Sequence, residues 1–219
     1  MIPVTPEPEP PNFDRDVRQP GLRAIAEMVG KRPPTPRTRG KPYQQIAQHE
    51  SDIPSKCFPS YWTGALDDLM TAYNEVCAYS CFRIHPVTGA RSTDHFAPKS
   101  QEWRRVYEWD NYRLACSRIN SRKCDFSNVL DPFTIKNGWF RLELVGFQVL
   151  PNPYLRRAER AAIQDTIDQL RLNDFCKDRE QDAEEYWSRE IALSKLRRES
   201  PFVAYELRRQ KRLLPGDTW

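Results

Sequence analysis

The sequence predicts an α+β fold: a small strand–strand–helix core, helices before and after it, and an extended proline-rich arm at the N-terminus. Three observations predict this. Apolar residues recur at helical spacing in 66–77 and again beyond 154, which marks amphipathic helices. Short runs rich in β-formers, broken by Pro and Gly, lie between 81 and 149 and mark strands. Five of the 19 prolines fall in the first 12 residues, where no local folding is expected.

Taken in order, residues 1–42 form the arm, with a short helix in 13–30 built on Leu22, Ile25, Ala26 and Val29 and closed by Gly30. The segment 31–42, KRPPTPRTRGKP, carries five basic residues and no acid, and reads either as a solvated linker or as a strap for phosphates. Residues 43–150 form the core. A helix is expected over 61–79, capped by Thr63, with Leu66, Leu69, Met70, Tyr73, Val76 and Cys77 on its buried stripe. Strands are expected at 81–85 and 91–96 around a turn at Pro86, Thr88 and Gly89, then a short helix at 116–123 and a strand or hairpin at 139–149 broken at Gly146. Residues 151–219 are helical: one helix from 154 to 170, a charged one over 174–198, and a third started by Ser200 and Pro201. Tyr186, Trp187, Ile191 and Leu193 are the few apolar residues of the charged helix, suited to packing on the core or docking a partner.

With 10 Phe, 9 Tyr and 6 Trp in 219 residues the chain has the bulk for a core, so it is not disordered as a whole. A net charge of +4 is compatible with a polyanionic partner and does not require one. No apolar run approaches the ~18 residues of a membrane span, and residues 1–13 lack the basic and apolar regions of a signal peptide. The expectation is a cytoplasmic protein whose six cysteines stay reduced.

The chemistry-bearing residues gather in one window, TDHFAPKS at 93–100, YEWDNYRLAC at 107–116 and SRINSRKCDF at 117–126. Asp94 is a hard oxygen donor suited to Mg2+ or Mn2+, and His95 a base able to take a proton from water. Neighbouring strand residues point to opposite faces, so the two share a target only if the strand ends there, as Pro98 suggests. Asn120, on the following helix, would add a neutral oxygen to the same ion, and Arg122 and Lys123 positive charge around a phosphate.

This succession of a DHFxPKS, a WxN, a helical NxxK and a DP resembles the HNH (ββα-metal) endonuclease family, and is similar in style to the HNH subunits of Septu-type and retron-associated anti-phage systems. The resemblance covers residues 77–133. It implies Asp94 as metal ligand, His95 as general base, Asn120 as helix ligand and Asn111 as the residue that orders the loop between strand and helix. Lys99 and Lys123 fall at positions suited to phosphate. Many relatives carry a structural zinc on two CxxC pairs, but here Ser80 and Ile119 stand at the partner positions of Cys77 and Cys116. Cys81 and Cys124 lie at shifted spacing, so packing by Ile119 is expected in place of zinc.

The resulting expectation is a phosphodiester hydrolase using Mg2+ or Mn2+, acting on DNA first and RNA (tRNA included) second, within a defence complex that includes an ATPase. The alternative is a non-catalytic nucleic-acid- or protein-binding module. No reader domain accompanies the motif. The basic run Arg208, Arg209, Lys211 and Arg212 suits either nucleic acid or a solvated helix end, His85 reads as a turn residue, and His49 is assigned no role.

Overall fold

The computed structural model describes residues 1–37 and 39–219. A π-helical turn, Asp14–Arg18, runs into α1 (Gln19–Met28), followed by α2 (Leu66–Ala72), β1 (Arg91–His95), β2 (Tyr112–Cys116) and α3 (Ser117–Lys123). Then come β3 (Phe140–Leu142), β4 (Val149–Pro151), α4 (Arg157–Leu170), α5 (Cys176–Trp187), α6 (Leu193–Glu199) and α7 (Pro201–Arg209). Two small antiparallel sheets, β1 with β2 and β3 with β4, sit among these helices, so the fold is mixed α+β. Among the described residues no helix is long and apolar enough to cross a membrane.

The first sheet positions the site. Thr93 lies opposite Leu114 and His95 opposite Tyr112, and β2 passes directly into α3 at Cys116. The segment 81–85 is not the strand expected there. It makes a single bridge, Val76 to Arg83, and β1 pairs with β2 across a 16-residue loop instead. Leu114 and Ala115 are fully buried, and this apolar run on β2 offers a longer ladder than 81–85, where His85 turns out to solvent.

The helix expected over 61–79 is shorter. Residues Tyr61–Ala65 form a 3-10 turn, α2 ends at Ala72, and Asn74 and Glu75 adopt positive φ. Two consecutive left-handed residues break the helical hydrogen-bond ladder, so Cys77 joins the core from a loop. Thr63 caps nothing; its hydroxyl donates to the Ser60 carbonyl from inside the 3-10 turn.

The N-terminal arm is ordered by its own chain. Val4 donates to the Pro132 carbonyl, the Trp109 indole donates to the Glu7 carbonyl, and Arg18 ion-pairs with Glu9 and Glu108. Prolines suit this placement because an extended chain packed by its side chains needs few N–H donors. The basic strap is likewise fastened, apart from Thr38, which lies outside the described residues: Arg37 pairs with Glu27 and Arg23 donates to Thr35. In α1, Gly21 faces the Tyr107 ring, and a Cβ there would come within 2.2 Å of it.

Beyond the sheet, β3 and β4 form the hairpin expected around Gly146, and Glu206 of α7 accepts the backbone N–H of Leu142 at its edge. The charged helix expected over 174–198 is two helices, since α5 ends at Trp187, Arg189 takes φ +65° and α6 begins only at Leu193. Ser200 stands before Pro201 as expected, but its hydroxyl bonds Asp182 on α5 rather than capping α7. Buried residues from all three parts of the chain, Met28, Leu114 and Leu170 among them, belong to one apolar core.

Candidate active site

Thr93, Asp94, His95, Pro98, Lys99, Asn120, Cys124, Asp125 and Trp62 line a cavity of about 220 Å³. It sits where β1 ends against α3. A larger cavity, about 640 Å³, lies between the N-terminal arm, α2 and α6, and contains none of Asp94, His95, Lys99 or Asn120.

Asp94 and His95 share the cavity although they are strand neighbours. β1 stops at His95, so the alternation of faces ends there, and both side chains are buried. Oδ2 of Asp94 accepts the Tyr79 hydroxyl, and Oδ1 faces the Lys123 ammonium at 3.1 Å. Burial raises the Asp94 carboxyl above its ordinary range, opposed first by the charge of Lys123.

His95 contacts the Val106 carbonyl through Nε2 at 2.9 Å. A carbonyl only accepts, so Nε2 carries the proton and Nδ1 is left as the basic nitrogen. The ring is fixed on two sides by edge-to-face contacts, Trp62 at 4.8 Å and Tyr112 at 5.1 Å. Burial, reinforced by the positive charge of Lys99, lowers its pKa from 6.5 to about 3. The imidazole is therefore neutral at any physiological pH.

Asn120 leans toward β1 and donates from Nδ2 to the Thr93 carbonyl at 3.3 Å. Its amide oxygen has no hydrogen-bond donor among the described residues. Lys99 is half-buried and lies 4.1 Å from the centre of the Trp62 ring. Burial lowers its ammonium pKa, partly offset by Asp125.

Three expected residues lie elsewhere. Lys123 is fully buried, pairs with Asp94 and donates hydrogen bonds to the carbonyls of His95 and Phe96 at 3.0 and 3.1 Å, so it has no access to a phosphate. Its place on α3 turns it under the strand end, where it works as an internal counter-charge. Arg122 points to the other side of α3. It pairs with Asp174 at 2.6 Å and donates to the carbonyls of Leu170 and Arg171, tying α3 to the end of α4. Asn111 is fully buried off the cavity; it bridges the backbone of Ala97 in both directions and donates to the Arg105 carbonyl. It therefore orders the loop between β1 and β2 and touches no reacting group.

The four cysteines considered for zinc divide. Cys77 accepts the backbone N–H of Cys116 at 3.4 Å, with Ser80 beside it, and Ile119 is buried in the core. Burial pushes the Cys77 thiol up, but hydrogen bonds from Cys116 and Ser80 outweigh this and bring it below the ordinary thiol range. Cys81 is buried at positive φ and takes its backbone hydrogen bond from Ile2, while Cys124 is exposed at the end of α3. Among the described residues no three His, Cys, Asp or Glu side chains gather as a metal cluster.

Several site residues escaped the sequence reading. Tyr79 and Trp62 lie 15 and 33 positions from the residues they hold, Asp94 and His95, and carry no local motif. The pair Arg113–Asp131 braces β2 at 2.6 Å, with the guanidinium also 3.5 Å from the Phe133 ring. The DP in the sequence was the signal for Asp131; nothing local pointed to Arg113.

No protein-family model matches this chain, and no curated protein matches it.

Proposed function

We propose that this chain is a metal-dependent nuclease of the HNH type that hydrolyses phosphodiester bonds in nucleic acid, DNA first. The observation that carries the reading is the meeting of Asp94, His95 and Asn120 in one cavity, with Nδ1 of His95 left as the basic nitrogen. These residues occur in the order and spacing of the HNH motif, Asp94 and His95 at the end of β1 and Asn120 on α3, which follows the antiparallel partner strand β2.

The donor set fits a hard divalent cation. Asp94 would contribute a carboxylate whose oxygens keep lone pairs beyond those given to Tyr79 and Lys123, and Asn120 an amide oxygen with no donor among the described residues. This is the oxygen chemistry Mg2+ or Mn2+ prefers, with most of the coordination shell left to water and phosphate. Bound there, the ion supplies Lewis-acid stabilisation of the leaving oxygen.

The chain's own residues account for the rest. His95 is neutral and so in the form that takes a proton from the attacking water; a new oxygen–phosphorus bond forms as the bond to the 3′ oxygen breaks, giving a 5′-phosphate and a 3′-hydroxyl. A base held near 3 is weak by itself, and the negative charge of an arriving phosphate raises its proton affinity. The Val106 carbonyl keeps Nδ1 turned away from the loop and stabilises the imidazolium as it forms. Lys99 gives the cavity its positive charge.

The decisive experiment incubates the protein with plasmid DNA and with total RNA, in Mg2+, in Mn2+ and in chelator, beside His95→Ala and Asn120→Ala. Metal-dependent cleavage lost in both variants is expected. Cleavage unchanged by both would remove the catalytic assignment, and cleavage of RNA alone would change the substrate class. A place in anti-phage defence beside an ATPase is proposed from the motif's style; the N-terminal arm adds no support, since it is bound to its own chain. Co-expression with neighbouring ATPase subunits and co-purification tests it.

A further inference from the structure

Of the three cations expected around a phosphate, Arg122 and Lys123 are consumed by Asp174 and Asp94. Lys99 differs. It lines the cavity, and among the described residues no carboxylate lies within salt-bridge distance of its ammonium. What it has instead is the face of Trp62 at 4.1 Å.

That choice of partner has a chemical consequence. A carboxylate would hold the ammonium and cancel its charge, while taking up its N–H donors. An indole holds a cation through the ring quadrupole and leaves both the net charge and the donors available. Trp62 is itself well anchored: it stacks on Tyr107 at 6.1 Å and 28°, its carbonyl accepts the Thr93 hydroxyl, and its ring meets His95 edge to face. It is also only half-buried and lines the cavity, whereas Tyr107 behind it is sealed.

We infer that Trp62 is a positioning residue that holds Lys99 out of contact with any carboxylate among the described residues, its charge only partly offset by Asp125, and that the pair receives a single phosphate group beside His95. The inference rests on the nuclease reading for its biological substrate, but the phosphate site stands on the geometry of Trp62 and Lys99. In the nuclease this is the site for the phosphate under attack, set by an aromatic platform rather than by the basic residues of α3.

Inorganic phosphate is the probe, titrated into the full chain in chelator at constant ionic strength and followed by calorimetry and by NMR of the Lys99 side chain. Trp62→Phe keeps a smaller aromatic face and should weaken phosphate binding about two- to fivefold, the usual strength of such a contact. Trp62→Leu and Lys99→Met should each weaken it further. In a double-mutant cycle, Trp62→Phe should have no effect once Lys99 is Met, a coupling that a purely structural tryptophan does not produce. Wild-type phosphate affinity in Trp62→Leu, additivity in the cycle, or no phosphate binding by the wild type would overturn the inference. If Trp62→Leu does not fold, the Trp62→Phe cycle decides alone, with an unchanged affinity counting against. The two readings separate cleanly: phosphate coupling without metal-dependent cleavage removes the nuclease and keeps the site, and cleavage without coupling does the reverse.

Discussion

The Lys123 ammonium stands 3.1 Å from Oδ1 of Asp94, and both side chains are sealed from solvent. The lysine's other donors go to the carbonyls of His95 and Phe96, so one buried cation fixes the end of β1 and the charge of its carboxylate together. Lys123→Met leaves that carboxylate buried with Tyr79 as its remaining partner. The loss should be about 3 kcal/mol or more, typical of breaking a buried pair from one side. Adding Asp94→Asn should recover part of it, since the orphaned charge goes too. Urea unfolding of the single and double variants measures this, and a double variant no more stable than Lys123→Met would argue against the pairing.

His95 makes the fold acid-sensitive. Its pKa is lowered from 6.5 to about 3 in the folded chain, so the unfolded chain binds a proton that the folded one refuses. The stability this contributes is fully present above 6.5 and is lost as pH falls toward 3, at up to about 1.4 kcal/mol per pH unit. Unfolding free energies of wild type and His95→Gln in chelator, compared between pH 7 and 4.5, should converge as pH drops. Parallel curves would mean that the imidazole titrates normally.

Asn111 carries the loop rather than the chemistry. Asn111→Ala leaves the Ala97 N–H and the Ala97 carbonyl without their partner, while the Arg105 carbonyl keeps only the longer bond from the Glu108 N–H. A cost of about 2 kcal/mol or more is expected from those orphaned groups, together with faster hydrogen exchange at the Ala97 amide. Full protection of that amide in the variant would show the loop is held by other means.

Lys99 and Arg122 should separate in their effects. Arg122→Ala removes the tie from α3 to Asp174 and the end of α4, so it should lower thermal stability while leaving phosphate affinity near wild type. Lys99→Met should do the opposite, and for a DNA ligand should reduce the salt slope of binding by about one contact. Thermal unfolding and salt-dependent binding of the two variants check this, and a loss of affinity in Arg122→Ala equal to that in Lys99→Met would contradict the assignment.

Much of the architecture was legible in the sequence. Apolar spacing gave α4, Pro201 marked the start of α7, the turn at Gly146 gave the second hairpin, and the short helix after β2 followed from 116–123. The window 94–120 also held three of the residues that meet in the cavity, Asp94, His95 and Asn120, because a strand end and the helix after its partner strand are local features. Pairing was less legible. The run 81–85 was expected as the partner strand and 112–116 was assigned none; the burial of Leu114 and Ala115 favours 112–116, and only the assembled core reveals it.

The sequence by itself determined which side chains could do chemistry here and where along the chain they stand. Tertiary structure decided which of them are free to do it. Lys99, Arg122 and Lys123 are equally basic as letters, yet one faces a cavity over an indole, one is bound to Asp174 and one is buried against Asp94. The physical reason is that a basic side chain is available to a phosphate only where the fold does not already bury or pair it. The neutralising partners come from positions tens of residues away, through packing that no local pattern encodes.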